Sequence, residues 1–400
     1  MYKRPIKKPE LAEFRPYQHR ERRPAAIIAI PARNEAARIG RCLAALAMQR
    51  DRFGAPVAEG AFEVLILANN CTDATADIAR ETASNLPYEL SVIESTLPAE
   101  SATAGGARRF AMDAAAARID GSPDGILLTT DADSIVSPTW FTDTMRHFEQ
   151  GADCVAGYID ADPPEIVGLG ARFLSRGRLE DTYLRQVAEI DARCDPRPHD
   201  PWPNHRVSSG ASLAVRLSAY RAIGGLPPRA LGEDRALTEL LDRHGFKVRH
   251  ALDVSVVTSC RLDGRAAGGA ADTMRQRRDV PDAVCDADLE PALSALRRAI
   301  MRGLLRRAWQ DKRIATVLPR LARRREAGRQ DYATFEDAWN DLCEQRPDLK
   351  PGRLLRPSDL PRQIAIARLI LKQLRRSANP TTAQDDRSLH AGSLDPAVAA

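Results

Sequence analysis

The stretch Gly125-Ile126-Leu127-Leu128-Thr129-Thr130-Asp131-Ala132-Asp133 is an apolar run that ends in two aspartates two positions apart. The apolar run predicts a buried strand, and residues i and i+2 of a strand point the same way. Two carboxylates on one side of a strand end offer the hard oxygen ligands that Mg2+ and Mn2+ bind. Aspartate is also common in solvated turns and helix caps, so this stretch alone leaves a metal site and a turn as alternatives.

The chain before residue 133 alternates short apolar runs with helical patterns, which is typical of a parallel sheet covered by helices on both faces. Predicted strands cover residues 25–30, 62–67, 90–93 and 126–130, and predicted helices cover residues 36–48, 73–83 and 107–119. Ligands bind such sheets at the carboxyl ends of the strands. Polar residues follow three of these strands, in Pro31-Ala32-Arg33-Asn34-Glu35, Asn69-Asn70-Cys71-Thr72-Asp73 and Asp131-Ala132-Asp133.

The chain after residue 133 is less regular. A helix is predicted from Glu165 to about Ala192, and the proline-rich segment 195–203 that follows excludes a helix. Further predicted elements are a strand at 212–215, a helix at 233–244, and strands at 246–250 and 254–258. A glycine- and arginine-rich loop, residues 260–269, comes next.

Composition is typical of a soluble protein. The 400 residues, 44% hydrophobic and 28% charged, are enough for one large domain and an accessory one. No apolar run approaches the roughly 18 residues of a membrane-spanning helix, and the basic N-terminus is not followed by the apolar segment of a secretion signal. The seven cysteines are odd in number and form no Cys-x-x-Cys pair, which favours reduced thiols. We therefore expect a cytoplasmic protein.

Beyond about residue 286 the chain becomes basic. Residues 291–330 contain twelve Lys and Arg against two acidic residues, although the net charge of the whole chain is only +5. Apolar residues recur at helical spacing over 293–308 and more weakly over 364–374, which predicts arginine-rich amphipathic helices. The predicted regions are a basic tail (1–24), an α/β domain (25–285), a basic helical region (286–376) and a disordered tail (377–400).

Taken together, these clusters resemble the GT-A-type glycosyltransferases of family 2 over roughly residues 25–280. The resemblance depends on the stretches Ile30-Pro31-Ala32-Arg33-Asn34-Glu35, Ala68-Asn69-Asn70-Cys71-Thr72-Asp73-Ala74-Thr75, Asp131-Ala132-Asp133 and Gly232-Glu233-Asp234. It implies an α/β fold with a doubly wound mixed sheet, followed by a smaller C-terminal helical region. It also implies an enzyme, of hexosyltransferase type, that moves a sugar from a nucleotide-diphosphate sugar to an acceptor hydroxyl.

The resemblance assigns residues to the donor. It implies that the loops after the first two strands hold the nucleoside through Pro31, Arg33, Glu35, Asn70 and Asp73. It also implies that Asp133 is the direct ligand of Mn2+ or Mg2+ and that Asp131 contacts ribose or the metal. The family usually supplies a third metal ligand as a histidine after the last strand, but Val257-Thr258-Ser259-Cys260-Arg261 contains none. That position is left to Ser259 or water, and the need for metal stays open.

The pair Glu233-Asp234 opens a predicted helix. The resemblance to inverting members makes Asp234 the general base for the acceptor hydroxyl, with Glu233 beside it. Two acids in a first helical turn also complement the helix dipole, which is the structural alternative. The loop 261–269 looks like a lid whose Arg261 and Arg265 would bind the diphosphate; the alternative is an exposed linker.

Acceptor recognition is predicted for the loop that holds His199, Trp202 and His205, and for Ser208-Ser209-Gly210. The indole of Trp202 offers a stacking face for a sugar ring, or else it pins the loop to the core. Residues 105–109, Gly-Gly-Ala-Arg-Arg, match loosely the small-residue segment that opens a helix beneath the nucleotide in this family.

Two other functions stay open on sequence alone. A nucleotidyltransferase would also use a doubly wound sheet and metal-binding carboxylates, but it would need a glycine-rich, lysine-containing loop where residues 31–35 lie. A non-catalytic protein would bind nucleotide sugar or lie on the inner face of a membrane through its basic helices. The alternative for those helices is a hairpin packed on the catalytic domain. We expect an acceptor that is a glycan or is lipid-linked, and no nucleic-acid partner.

Overall fold

A mixed sheet of eight strands forms the centre of this computed structural model, which describes residues 25–119, 125–264, 268–322, 331–350 and 352–378. The strands are β1 (Ala26–Ala32), β2 (Glu63–Asn69), β3 (Glu89–Ser95), β4 (Ile126–Thr129), β5 (Ser134–Val136), β6 (Cys154–Ala161), β7 (Leu213–Arg216) and β8 (Val248–Thr258). Their order across the sheet is β3-β2-β1-β4-β7-β6-β8-β5.

Helices cover both faces of the sheet and continue beyond it. They are α1 (Ile39–Ala47), α2 (Thr75–Ala83), α3 (Ala104–Ile119), α4 (Trp140–Glu149), α5 (Pro163–Val167), α6 (Ala171–Cys194), α7 (Leu217–Ala222), α8 (Glu233–Arg243), α9 (Ala270–Asp279), α10 (Ala292–Gln310), α11 (Ile314–Leu321), α12 (Phe335–Gln345) and α13 (Leu360–Ala378). Within the described ranges, every helix is too short or too polar to cross a lipid bilayer.

Strand direction defines the sheet as mixed. The strands β3, β2, β1 and β4 are mutually parallel, whereas β7 runs antiparallel to both β4 and β6. Side chains of β1 alternate between two apolar cores: Ile28 packs with α1 and α4, and Ile27 packs with α3 and α8. Burial on both faces explains why β1, β2 and β4 read as continuous apolar runs. The predicted α/β mixed sheet with a C-terminal helical region is confirmed.

The second half of the sheet differs from the sequence prediction. The short strand β5 and the strand β6 were not predicted, nor were the helices α4, α9, α11 and α12. The two strands predicted at 246–250 and 254–258 are one strand, β8, whose pairing with β6 shifts register between Gly157 and Tyr158. A bulge therefore explains the break in the apolar pattern near residue 252.

The C-terminal helices pack on α6 through their apolar sides. The shared core includes Tyr183 and Val187 of α6, Ala299 of α10, and Ala367 and Leu371 of α13. The basic side chains of α10 are largely paired with acids: the Arg306 guanidinium donates from Nε to Asp195 Oδ1 at 2.7 Å. This packing matches the interpretation of the basic region as helices docked on the α/β part.

The predicted domain boundaries at residues 285 and 376 remain predictions. The predicted N-terminal tail, residues 1–24, and residues 379–400 of the predicted C-terminal tail lie outside the described residues.

Candidate active site

A cleft of about 420 Å³ opens at the carboxyl ends of β1 and β4. Its wall combines acidic and basic residues that are far apart in the chain. Predicted site residues that line it are Pro31, Arg33, Glu35, Asp131, Asp133, Gly210, Glu233, Asp234 and Arg261. Asp133 and Asp234, about a hundred positions apart, therefore share one cleft.

Asp131 and Asp133 lie where β4 ends, as the sequence predicted. Burial, followed by the negative charge of Asp131, raises the pKa of Asp133 to about 7. The guanidinium of Arg261 opposes this effect, because its Nη2 lies 3.2 Å from Asp133 Oδ2. Burial therefore outweighs the effect of Arg261 on the pKa of Asp133.

Arg108 of α3 joins four parts of the site and was not singled out by sequence reasoning. It donates from Nη2 to Asp131 Oδ1 at 2.6 Å and from Nε to Glu233 Oε1 at 3.1 Å. Its Nη1 donates to Thr129 Oγ1 at 2.9 Å and to the Gly210 carbonyl at 2.8 Å. Burial opposes the charge of Arg108, but Asp131 and Glu233 hold its pKa above the ordinary arginine value.

A sequence signal for Arg108 existed. It belongs to the apolar stripe of α3, between Ala107 and Ala111, and a charged residue there is buried and needs partners. Gly210 belongs to the same arrangement, because a Cβ at residue 210 would lie 2.1 Å from Arg108 Cζ. Glycine is therefore required for this close approach.

The two acids of α8 point to different neighbours. Glu233 is buried and bonds Arg108, whereas Asp234 Oδ2 accepts a hydrogen bond from the Gly210 N–H at 3.0 Å. Gly232, in the left-handed region with φ of 71°, precedes them and allows the turn that starts the helix. Of the two predicted catalytic acids, Asp234 is thus hydrogen-bonded to the backbone of Gly210, and Glu233 forms a buried ion pair with Arg108.

The loop after β1 is tied to the loop after β8. Two guanidinium nitrogens of Arg261 donate to the two carboxylate oxygens of Glu35, which is 5% exposed. Arg33 donates from Nη1 to the Ala102 carbonyl at 3.2 Å. Glu35 was predicted to hold the nucleoside, and in this structure its carboxylate is occupied by Arg261.

Asn70 and Asp73 are not among the residues of the cleft wall, and their contact with the nucleoside stays a prediction. The Asn70 amide bonds the backbone of Leu97 through both its nitrogen and its oxygen, at 3.1 Å each. The Asp73 carboxylate accepts from the N–H groups of Thr75 and Ala36, also at 3.1 Å each. Both side chains therefore stabilise contacts between loops: Asn70 with the segment at Leu97, and Asp73 with the segment at Ala36. Asn69, the last residue of β2, lines the cleft in their place.

Two further predicted residues, Trp202 and Arg265, are not described in the cleft wall. Trp202 lines a second cavity, described below, and is absent from the cleft wall. Arg265 lies outside the described residues. Ser259, considered as a third metal ligand, does line the cleft, and its hydroxyl donates to Glu165 Oε2 at 2.6 Å.

The carboxylate oxygens of Asp131 and Asp133 are chemically suited to bind a divalent cation. The two strand-end aspartates supply only oxygen ligands, and the raised pKa of Asp133 indicates a site where added positive charge stabilises the ionised form. Within the described part of the chain, however, no group of three or more His, Cys, Asp or Glu side chains is placed to hold a metal. Water and donor phosphate would complete the coordination of such an ion.

The proline-rich loop after α6 is fixed by a buried charge network. Asp200 Oδ1 accepts from His250 N at 2.9 Å and from Arg249 Nη1 at 3.1 Å, and its Oδ2 lies 3.0 Å from His250 Nδ1. His250 and Arg197 hold the pKa of Asp200 below its usual range despite its burial. His205 packs edge-on against His250.

Acid is expected to destabilise this loop through His205. Burial, aided by the charge of His250, lowers the pKa of His205 from 6.5 to about 4. The unfolded chain therefore binds the proton more readily between these values, and stability falls as pH drops from 6.5 to 4, by about 3 kcal/mol in total. Urea unfolding across this pH range measures the effect. In His205→Gln the slope should flatten, and an unchanged slope would contradict the assignment.

Part of the chain matches a known protein family. Residues 27–187 match the model of glycosyl transferase family 2. The match confirms the resemblance predicted from the motifs and identifies the chain as a glycosyltransferase by class.

The chain is also similar to solved structures at low sequence identity. One is the mannosyltransferase PcManGT from Pyrobaculum calidifontis in complex with GDP-Man and Mn2+, 18% identical, covering 87% of this chain and 88% of that chain with a TM-score of 0.45. Another is S. aureus TarS 1-349 in complex with UDP-GlcNAc, 15% identical, covering 80% of each chain with a TM-score of 0.41. Among proteins with curated descriptions, none matches the chain in sequence.

Proposed function

We propose that this chain transfers a sugar from a nucleotide-diphosphate sugar to an acceptor hydroxyl with inversion, with Asp234 as general base and Asp133 holding Mn2+ or Mg2+. The observation that carries the proposal is the shared cleft: the strand-end acids Asp131 and Asp133 and the helix-start acid Asp234 line the same wall. Glycosyl transfer by this route needs one acid at the leaving diphosphate and another at the attacking hydroxyl.

The donor side of the cleft has residues suited to a diphosphate. A cation bound by Asp133 and Asp131 would neutralise the leaving diphosphate as a Lewis acid. Arg261 offers a planar, permanently charged group for phosphate oxygens, and in this structure it bonds Glu35 and Asp133. Pro31, Arg33 and Asn69 border the space left for the nucleoside.

The acceptor side depends on Asp234. The Gly210 N–H and the Arg235 N–H, the latter at 2.7 Å from Oδ1, fix the orientation of the Asp234 carboxylate. In the proposed reaction Asp234 takes the proton of the acceptor hydroxyl while the oxygen attacks the anomeric carbon opposite the leaving diphosphate. Attack from that side inverts the configuration. The glycan or lipid-linked acceptor and the cytoplasmic location remain predictions from sequence.

Ligand-induced stabilisation tests the donor site without requiring turnover. We expect a nucleoside diphosphate to raise Tm, since a ligand at about 100 times its Kd stabilises a protein by about 2.7 kcal/mol. Mn2+ should add to this shift in the wild type and not in Asp133→Ala. Asp77→Ala, which removes an exposed aspartate from α2, is the matched control and should respond like the wild type.

The same proteins then enter an assay of nucleotide release from a panel of nucleotide sugars. Release of nucleoside diphosphate is expected, and release of pyrophosphate from nucleoside triphosphates would instead indicate nucleotidyl transfer. If no nucleoside diphosphate shifts Tm and no nucleotide sugar turns over, the proposal is wrong.

A further inference from the structure

A second cavity, of about 370 Å³, lies between α6 and α13 and shares no lining residue with the cleft. It combines charged, polar and aromatic side chains. The residues that line this α6–α13 cavity are Arg185, Gln186, Glu189, Trp202, Arg368, Leu371 and Arg375. It has no part in the donor chemistry described above.

The α6–α13 cavity is positively charged. Three of its lining residues are arginines and one is an acid, Glu189. That single carboxylate is already engaged by two cations, since it accepts from Arg375 Nε and from Arg193 Nε at 2.8 Å each. Arg368 is exposed and makes no ion pair with the described residues. Arg368 therefore offers its guanidinium to an anion, which arginine binds in bidentate geometry, whereas Arg375 is bonded to Glu189 and Arg185 to Tyr158.

An indole is held at the mouth of this cavity by a rigid loop. The side chain of Asp200 is fully buried, and Arg249 donates to the carbonyls on both sides of Trp202: Pro201 at 2.7 Å and Pro203 at 3.1 Å. Trp202 itself is 37% exposed. Burying a charge network is costly, and here the network fixes the backbone of a residue whose side chain faces solvent. An exposed indole of fixed position is a stacking surface for a sugar ring.

An unsatisfied amide lies beside these groups. Gln186 Oε1 is buried and has no hydrogen-bond partner among the described residues. Buried polar atoms without partners are uncommon in folded proteins and call for an explanation. Gln186 also lines the α6–α13 cavity, so we count its unpaired oxygen as a candidate acceptor for a ligand hydroxyl. Charge, stacking surface and unpaired amide oxygen together match a polyhydroxylated anion.

We propose that the α6–α13 cavity binds a saccharide that carries a carboxylate or phosphate group, as a segment of the acceptor remote from the reacting hydroxyl. Only the role of this saccharide as part of the acceptor rests on the proposed function; its binding in the cavity does not. The loop that holds Trp202 continues to Ser209 and Gly210, which line the cleft. One ordered segment of chain thus borders both the cavity and the acceptor side of the reaction.

Binding to the full chain without nucleotide tests the inference. The anionic probes are tetragalacturonic acid and glucose 6-phosphate, and the matched neutral probes are maltotetraose and glucose. We expect at least one anionic probe to bind about tenfold more tightly than its neutral match, measured by calorimetry and by the indole fluorescence change, a ratio that corresponds to about 1.4 kcal/mol. Inorganic phosphate measures the contribution of charge alone.

Two substitutions in the cavity and one matched control identify the site. Trp202→Ala and Arg368→Gln should each weaken binding of the anionic probe by about fivefold or more. Arg362→Gln removes another exposed arginine of α13 that does not line the cavity, and it should change the Kd less than about twofold. Equal weakening by Arg362→Gln and Arg368→Gln would overturn the inference, because it would indicate general attraction to a basic helix.

Two other results would also overturn it. One is equal affinity for anionic and neutral sugars. The other is phosphate affinity equal to that of the anionic sugars together with no effect of Trp202→Ala, which would leave an anion site without sugar recognition. The nucleotide-induced Tm shift separates the two proposals. Sugar binding with neither a nucleotide-induced shift nor turnover refutes the proposed function and leaves the cavity as a saccharide site, and a nucleotide shift without sugar binding refutes the cavity inference alone.

Discussion

Replacing Asp234 with asparagine is expected to lower kcat by about 10²–10⁴-fold, the usual contribution of a general base. The amide oxygen of asparagine can still accept the hydrogen bond that the Gly210 N–H makes to Asp234. Asparagine also keeps the size of the side chain, although its amide nitrogen replaces the oxygen that accepts from the Arg235 N–H. The amide cannot take the proton of the acceptor hydroxyl. Steady-state kinetics with the donor identified by the release assay measure the loss, and the nucleotide-induced Tm shift should be retained.

Glu239→Gln is the matched control for this substitution. Glu239 lies one and a half turns further along α8, where its exposed carboxylate pairs with Arg235. It has no place in the cleft, so turnover should stay within about twofold of the wild type, as is usual for a surface change. If Asp234→Asn also kept turnover within that range, Asp234 would not be the base.

Replacing Arg108 with methionine is expected to destabilise the fold by about 3–5 kcal/mol, the usual result of removing one partner from a buried ion pair. Methionine keeps much of the side-chain volume, but it leaves Asp131 and Glu233 without their cation and the Gly210 carbonyl without its donor. Urea unfolding measures the loss, and a Tm decrease of roughly 5 °C should accompany it.

Arg109→Met provides the comparison at the next position of α3. Arg109 is partly exposed and its Nε lies 3.7 Å from Asp113, so its loss should cost less than about 1 kcal/mol. If the two variants proved equally stable, Arg108 would not be the residue that holds the acids of β4 and α8 together.

The strand ends that form the site could be predicted from sequence because of their burial. The strands β1, β2 and β4 are covered on both faces, and each is followed by polar residues where the chain leaves the sheet. That is why Asp131, Asp133 and the loop 31–35 were found. The pair Glu233-Asp234 was found through the family resemblance, since its position in a first helical turn has a structural explanation of its own.

Other features depend on information that a single sequence lacks. Consecutive residues at a strand end point in opposite directions, so a shift of one position decides whether Asn69 or Asn70 faces the cleft. Arg261 bonds Glu35 because two loops that are distant in the chain meet in the fold. The sequence separation of the two residues does not predict this contact. The strand β5 has three residues, Ser134–Val136, too few for alternation to be recognised.

The dependence of α6 on α13 has a consequence for biosynthesis. The apolar side of α6, which ends at Cys194, is covered by a helix that begins only at Leu360. A ribosome that adds about 5–20 residues per second needs on the order of ten seconds to make the intervening chain. During that interval the apolar side of α6 lacks the helix that covers it in the folded protein. We therefore expect chaperones to bind the nascent chain at α6.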